Sequence, residues 1–452
     1  MGNGFGREKM LSGSPWKPIA LFALPVLLGS LLQQLYNTVD TIMVGNFSGE
    51  AALSAVGTTS SFSFLFLAVA MGFSSGNGVV VSQSYGAGDM RRVREAASTG
   101  MILLMAMGVA LSIAGILIAR PVLRGFISVP DAFLDQAVLY FQIYSAGLVF
   151  QFGYNIFSAI LRSIGDSAAT LYFLLIASVM NVILDAVFVA GLKWGVAGAA
   201  IATDIAQAVS FAAAYFYMRR KYEVFRYGLR EYVWSLEHAK QSIRIGFPIG
   251  LQLGIVAFGL TAIQRAVNSF GQVMTASFTV GQRVEMYLHL PCNAFQVTLA
   301  TYAGQNIGAD RMDRVNKGVA QTLVMSIVIT VLISCMVWIF AERIMGFFSI
   351  SPEASVFCLD HLRTIALINI LLSAYVPIFG AFQGANHSAF PTFVATAALG
   401  LRVAVTYLFC RSGFLGYRML WWNGLFGFGM GFTITWIFYL SGAWRRNSKV
   451  IA

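Results

Sequence analysis

Residues 83–93 read QSYGAGDMRRV and residues 305–315 read QNIGADRMDRV; the two stretches are identical at six of eleven positions and begin 222 residues apart (305 − 83). That offset is close to half of a 452-residue chain, which marks an internal duplication. Weaker echoes keep the same order: Pro25 against Pro248, Gly57 against Gly281, Phe157 and Ala159 against Phe379 and Ala381, Ser167 and Ala168 against Ser388 and Ala389. Working outward from the repeat, the chain reads as apolar runs bounded by charge, proline or glycine. They fall at 18–45, 52–84, 94–119, 133–164, 167–191, 195–219, 240–270, 274–306, 315–341, 355–385, 388–411 and 418–444. Each run is long enough to cross the roughly 30 Å hydrocarbon layer as a helix, so the expectation is an all-α integral membrane protein of twelve transmembrane helices. Six spans per copy is an even number, so both copies enter the membrane in the same sense. Two six-helix bundles related by a pseudo-twofold axis along the membrane normal follow.

Composition agrees with that solvent: 58% hydrophobic residues, 11% charged and a mean hydropathy of +0.72. The net charge of +11 does not indicate nucleic acid, because the basic residues cluster in short loops between apolar spans. With both termini placed in the cytoplasm, inside segments hold 20 Lys or Arg and outside segments seven, while Arg265, Arg283 and Arg402 lie within spans. This asymmetry predicts a multi-pass membrane protein with both termini inside. Arg7, Lys9 and Lys17 precede the first run with no small-residue cleavage site after it, which reads as an uncleaved first helix. Cys292, Cys335, Cys358 and Cys410 sit in or beside spans with no Cys-x-x-Cys pair, so neither a disulfide framework nor a zinc site is indicated. The expected domains are an N-terminal six-helix lobe (1–220), a cytoplasmic linker (221–239) and a C-terminal six-helix lobe (240–452). The aromatic and basic run 219–244 fits either an amphipathic segment on the membrane surface or a solvated loop.

Buried charge carries the functional reading. The stretch QQLYNTVDTIMVGNF (33–47) places Gln33, Tyr36, Asn37 and Asp40 at i, i+3, i+4 and i+7, a polar edge on one face of the first span. An Asp inside a membrane helix costs about 2.5–3.5 kcal/mol on insertion scales and needs a partner or a function. The fifth span carries Asn181 and Asp185 at i, i+4, and the sixth adds Thr203 and Asp204. Counted from the loops at Gly45, Gly191 and Gly195, Asp40, Asp185 and Thr203 lie within about one helical turn of a common depth. Two carboxylates, an amide oxygen and a hydroxyl at one depth make an oxygen-rich cage for a small hard cation such as Na⁺, or a pair that shares a proton. A purely structural set of interhelical hydrogen bonds is the alternative. Asn155 in the fourth span counts as a deeper neighbour.

The C-terminal copy has no acid opposite these: GLTAIQRAV (259–267) aligns with the Asp40 region and ALGLRVAVTY (398–407) with the Asp185 region. The ion site is therefore expected in one half. VGQRVEMYLHLP (280–291) does carry Glu285, with Arg283 two residues away on another face and His289 at i+4 on the same one; a structural network and a substrate or gating role both fit. Pro25, fifteen residues before Asp40, removes a backbone hydrogen bond and is a candidate hinge. The 37 Phe and 18 Met either line a cavity for flat cations or simply pack. Gly246, Gly250 and Gly254 form a small-xxx-small ridge suited to packing within the bundle rather than to a dimer, and a monomer is expected.

The opening ALPVLLGSLLQQLYNTVDTIMVGNFSGEAALSAVG, the GAGD after the second span, the LRSIGDSAATLY loop and the duplicated twelve-span plan resemble the multidrug and toxic compound extrusion (MATE) transporters across essentially the whole chain. Asp40 with Asn181, Asp185 and Thr203 resembles the DinF-like branch of that family. The resemblance implies efflux of cationic or amphipathic drugs in exchange for inward H⁺ or Na⁺ by alternating access, with no other cofactor and with Pro25 bending the first helix. It implies Asp40 and Asp185 as the charged core, Asn181 and Thr203 as ligands, and Tyr36, Asn37 and Asn155 as neighbours or substrate contacts. The alternative within the same superfamily is a lipid-linked precursor flippase, which typically has more spans and a strongly basic cavity. An enzyme is not indicated, since no HExxH, GxSxG, P-loop or Cys–His arrangement occurs.

Overall fold

The computed structural model describes residues 10–348, 350–411 and 416–450; Arg7 and Lys9 lie outside them. The described residues are almost wholly helical, with no strand. In chain order the helices are α1 (Trp16–Ala87), α2 (Met90–Pro121), α3 (Asp131–Ala146), α4 (Leu148–Ser163), α5 (Ser167–Asp185), α6 (Gly195–Lys221), α7 (Leu236–Asn268), α8 (Gln272–Gly308), α9 (Met312–Gly346), α10 (Pro352–Ser373), α11 (Val376–Gly384), α12 (Ala389–Phe409) and α13 (Met419–Ser441). Nine described helices pass a length and composition test for crossing a membrane, and ten do if α3 and α4, bent by 44° about Gly147, count as one span. At 72 residues α1 would run about 108 Å if straight, far more than one bilayer. Its backbone breaks at Gly49 (φ 84°, ψ 176°), which divides it into the first and second spans. With α8, whose polar residues lower its hydropathy, the twelve spans of the duplicated plan are all present.

The duplication is written into the backbone as well as the sequence. Gly49 and Gly271 are 222 positions apart (271 − 49) and share one conformation, φ 84° and 91° with ψ 176° and −179°. Only glycine adopts that region at ease, so the connection between each copy's first two spans demands it. Gly88 and Asp310, Gly165 and Asn386, and Gly195 and Gly416 repeat the correspondence: all six have positive φ at offsets of 221 or 222.

Helix starts follow local chemistry. Asp89 caps α2 by accepting from Arg92 N at 3.0 Å, Asp166 caps α5 through Ala169 N, and Ser351 caps α10 ahead of Pro352. The chain forms two compact units, Leu24–Leu251 and Gln252–Val450, the second joined by Ser12–Ala23. Within the first unit, the glycine ridge meets the second half of α1. A Cβ on Gly72 would stand 2.4 Å from Gly250 N, and one on Gly76 would stand 2.4 Å from Ser242 O, so the two helices cross in backbone contact. Of the four cysteines, Cys292, Cys358 and Cys410 are buried and Cys335 is exposed; none forms a disulfide.

The connection 222–235 carries two short 3-10 turns, Glu223–Phe225 and Leu229–Glu231. It folds onto the start of α2: Arg94 pairs with Glu231 at 2.9 Å and lies over the Tyr227 ring, Ser98 donates to Tyr227, and Ser235 N donates to Thr99. Phe225 and Tyr227 are buried there. Nearby, Asp166 Oδ2 accepts from Tyr217, Lys221 and Tyr222 at 2.7–2.9 Å, tying the start of α5 to the end of α6. Burial alone would raise the Asp166 carboxyl, but the donors Tyr222, Lys221 and Tyr217 and the Lys221 charge hold it below its ordinary value.

Candidate functional site

The site of greatest chemical interest lies in the first unit, where α1, α5 and α6 bring their polar faces together. The carboxyls of Asp40 on α1 and Asp185 on α5 are close neighbours, near enough to act on each other electrostatically. Asp185 is fully buried, and Asp40 is partly so. One turn before Asp185, buried Asn181 donates through Nδ2 to Thr203 Oγ1 of α6 at 3.4 Å, and Thr203 donates in turn to Ala199 O. Asp185 is the last residue of regular helix; a wider π turn, Ala186–Gly191, follows it, closed by Leu192 N donating to Val187 O at 2.8 Å. Such turns rotate the residues before them relative to those after, and they recur at functional sites.

What the cluster lacks is donors. Asp40 Oδ1, both Asp185 oxygens and Asn181 Oδ1 are buried with no hydrogen-bond partner. Four unsatisfied acceptors in a membrane interior are costly, and the groups that would satisfy them are a proton shared by the carboxyls or a bare cation. The donor set therefore fits H⁺ or Na⁺ chemistrywise: hard oxygen ligands of the kind small cations take, and two acids too close to ionise together cheaply.

The other predicted residues are distributed around this core. Tyr36 is hydrogen-bonded to Gln33 and lies within electrostatic reach of Asp40, Tyr144 and Tyr154. The Asn37 side chain is exposed. Asn155 turns back to donate to Gln151 O of its own helix at 2.8 Å. The backbone of α1 stays helical through Pro25, and its break is at Gly49. Three tyrosines and a glycine escaped the sequence reading. Tyr140 stands near Asp40, Asp185 and Asp204, and Tyr144 donates to Gln151 at 3.2 Å. Asp204 presses on the α3–α4 bend: a Cβ on Gly147 would lie 1.8 Å from its Oδ1. The signal that could have revealed this is Gly147 itself, a glycine interrupting the apolar span 133–164.

Comparison with known proteins decides the family. The MatE family pattern matches residues 25–187 and again 248–408, two copies whose starts differ by 223 (248 − 25). The chain belongs to the MatE family. It is a multi-span membrane transporter and not an enzyme. Among similar proteins, the probable multidrug resistance protein YpnP of Bacillus subtilis is 29% identical over 91% of this chain and 97% of its own. The probable multidrug resistance protein NorM of Thermotoga maritima is 24% identical over 96% and 94%. The fold is shared with a MATE transporter solved in an outward-facing conformation (TM-score 0.91, 22% identity, 96% and 97% covered). It is shared too with MATE in a bent conformation (TM-score 0.90, 22%, 98% and 99%).

The second unit of this MatE transporter has its own buried polar cluster, built differently. Glu285 Oε1 lies 3.6 Å from His289 Nε2, the i, i+4 pair expected on α8. His361 of α10 stacks against both Phe278 and Trp421, ring centres 5.2 and 4.7 Å away, and those two rings lie 6.3 Å from each other. Its Nδ1 fills the space where a Cβ on Gly281 would sit, 2.0 Å off. Arg402 of α12 donates through Nε to Asn423 Oδ1 at 2.7 Å and lies over the Phe428 ring. An enclosed space lined by Glu285, His361, Asn369 and Arg402 separates these groups. Acid and base are balanced here, whereas the first unit's site is acidic throughout.

Proposed function

We propose that this MatE transporter exports cationic or amphipathic small molecules across a bacterial inner membrane in exchange for inward H⁺ or Na⁺, by alternating access. The observation that carries the reading is the set of buried, unpartnered acceptor oxygens of Asp40, Asp185 and Asn181, the two carboxyls being close neighbours. An acid pair in that state binds one positive charge strongly and is left uncompensated without it. Asn181 and Thr203 would complete the shell of a sodium ion, and Tyr36 and Tyr140 stand where they can respond to a change of charge on the pair. Family membership supports drug efflux, since similar proteins carry multidrug resistance names. The excess of basic residues in alternate loops supports both termini in the cytoplasm. The membrane potential alone supplies about 2.3 kcal/mol per charge per 100 mV for the inward ion.

The test is transport of ethidium by purified protein in proteoliposomes, with the pH gradient and the sodium gradient imposed separately. Ethidium movement driven by one gradient and dissipated with it is the expected result. Binding linkage is reciprocal, so the coupling ion should also weaken equilibrium binding of ethidium. Movement under neither gradient, with affinity unchanged from low to saturating ion, would remove the exchange reading.

A further inference from the structure

A cleft of the first unit lies between the start of α5 and the last two turns of α6, lined by Phe173, Ala213, Phe216, Tyr217, Arg220 and Lys221. It is distinct from the acid pair: Phe173 stands twelve residues before Asp185 (185 − 173), about 18 Å of helix. The two helices are tied to each other on both sides of it. At its inner end Ser210 Oγ donates to Phe173 O at 2.9 Å, and at its outer end Asp166 Oδ2 accepts from Tyr217, Lys221 and Tyr222. The floor is aromatic, with the Phe173 and Tyr217 rings edge to face and their centres 5.3 Å apart. On the rim Phe216 is 57% exposed.

Position along α6 sets the surroundings. The apolar run of this spanning helix ends at Met218, and Arg219, Arg220 and Lys221 close its last turn. Tyr215, Tyr217 and Tyr222 gather at the same end, as tyrosines do where hydrocarbon meets headgroups. The basic groups there are not equivalent. Arg219 donates to the Tyr215 hydroxyl at 2.6 Å, and Arg226 turns back to the carbonyls of Arg219 and Arg220. Lys221 uses two N–H groups on Asp166 and Tyr217 and keeps a third. Arg220 is exposed, and among the described residues its guanidinium has neither a carboxylate within ion-pair distance nor a hydrogen-bond acceptor. Asp166, the acid beside the cleft that would repel an anion, already has Oδ2 covered by three donors. A free guanidinium and a spare ammonium N–H at headgroup level, over a cleft with apolar walls, complement a phospholipid of net negative charge. The arginine fork fits phosphate oxygens, and basic pockets between spanning helices suit such headgroups.

We propose that this cleft binds an anionic phospholipid of the leaflet it opens to, with the phosphodiester on Arg220 and Lys221 and an acyl chain along Ala213 and Phe216. The occupant bridges α5 and α6, the helices that carry Asp185 and Thr203, and so steadies the pair that holds the candidate ion site. Binding of the lipid does not depend on the exchange reading.

The experiment is native mass spectrometry of full-length, delipidated protein in detergent, titrated separately with dioleoyl phosphatidylglycerol and dioleoyl phosphatidylcholine. The fraction carrying one lipid is measured for the parent, Arg220→Gln, Arg220→Lys, Phe216→Ala and Arg230→Gln, the last removing an equal charge outside the cleft. The parent should bind phosphatidylglycerol about fivefold or more tighter than phosphatidylcholine, and Arg220→Gln should bring the two to within about twofold. Arg220→Lys, which keeps the charge, and Arg230→Gln should each retain the preference; the former guards against misfolding as the cause. Phe216→Ala should weaken both lipids by about threefold, the loss of one ring contact with the chain. An unchanged preference in Arg220→Gln overturns the site. Equal losses in Arg220→Gln and Arg230→Gln overturn it as well, since the preference would then belong to the whole basic face. Displacement of phosphatidylglycerol by millimolar inorganic phosphate, with no effect of Phe216→Ala, would make the cleft a site for soluble phosphate and overturn the lipid. Gradient-driven ethidium transport is measured in parallel. Its absence with the lipid preference intact retracts the exchange reading alone, and its presence with no lipid preference retracts the lipid site alone.

Discussion

The two halves of the chain share a backbone and differ in charge. At Gly49 and Gly271, and at three further pairs, the copies hold the same unusual φ at matching positions. Yet where the first half places Asp40 against Asp185, the aligned stretches of the second offer Ile263, Gln264 and Arg402. Ile263 is fully buried in an apolar cluster with Val267, Phe278 and Trp421, the opposite of an ion ligand. Duplication therefore retained what the fold requires, the turns and the close helix crossings, and released what only the chemistry required. Under the exchange proposed above one ion site suffices, and a second buried acid pair would have added only the cost of burying it.

The sharpest way to break this comparison is to neutralise acids in both halves. Asp40→Asn and Asp185→Asn should each reduce gradient-driven ethidium transport by about a hundredfold or more while the protein remains in the membrane, since the amide keeps the shape and loses the charge. Glu285→Gln should keep its ion dependence and lose about 1 kcal/mol of stability from the His289 contact. Transport assays under stepped pH and sodium, normalised to membrane protein, decide the matter. Loss of ion dependence in Glu285→Gln with its retention in Asp185→Asn would invert the assignment.

A second test sharpens the role of the α3–α4 bend, which lies beside the acids of the first half. Gly147→Ala drives a methyl into the Asp204 carboxyl and should lower stability by about 1–3 kcal/mol. Asp204→Ala in the same chain should recover most of it, read as the thermal midpoint of purified protein. No recovery would mean that the glycine serves the bend rather than the carboxyl.

Smaller effects belong to the connections between spans. Asp166 has its folded-state pKa depressed, so its stabilisation is complete above the ordinary carboxylate range and is lost as pH falls through the folded value. Asp166→Ala should cost about 1–3 kcal/mol at neutral pH, and the gap to the parent should close on acidification below about pH 4. Thermal midpoints across that range read the outcome, and a gap independent of pH would exclude the charge as its source. Gly49→Ala and Gly271→Ala, finally, should cost about the same as each other, about 1–3 kcal/mol, because the strained conformation is the same in both copies. Unequal midpoints would show that the halves differ in backbone demands as well as in charge.

Much of the candidate site was legible because helical periodicity is a local rule. Gln33, Tyr36, Asn37 and Asp40 share a face by arithmetic, as do Asn181 and Asp185, and counting from loop glycines set Asp40, Asp185 and Thr203 at one depth. Periodicity does not say which neighbour a face meets. The stacking of His361 against Phe278 and Trp421 joins positions 83 and 60 residues apart (361 − 278, 421 − 361), and no spacing encodes that. The connection after α6 looked like an amphipathic or solvated segment because its aromatic and basic residues suit either role. Its actual partners, Arg94, Ser98 and Thr99, lie more than a hundred residues away.

Hydropathy and the QSYGAGDMRRV and QNIGADRMDRV repeat by themselves determined an all-helical membrane protein of twelve spans in two similar halves. In hydrocarbon every backbone polar group must be satisfied within its own segment, so length and apolarity leave no other element to form. They also determined that the second half would lack counterparts of Asp40 and Asp185, because an absent carboxylate is visible in the chain alone. Only the tertiary structure decided that Asp40 neighbours Asp185, that a π turn ends α5 at that acid, that Asp204 rests on Gly147, and that His361 stacks on Phe278 and Trp421. Each of these depends on the distance between two helices and on the rotation of each about its own axis. Packing of the whole bundle sets both, and no local pattern contains them.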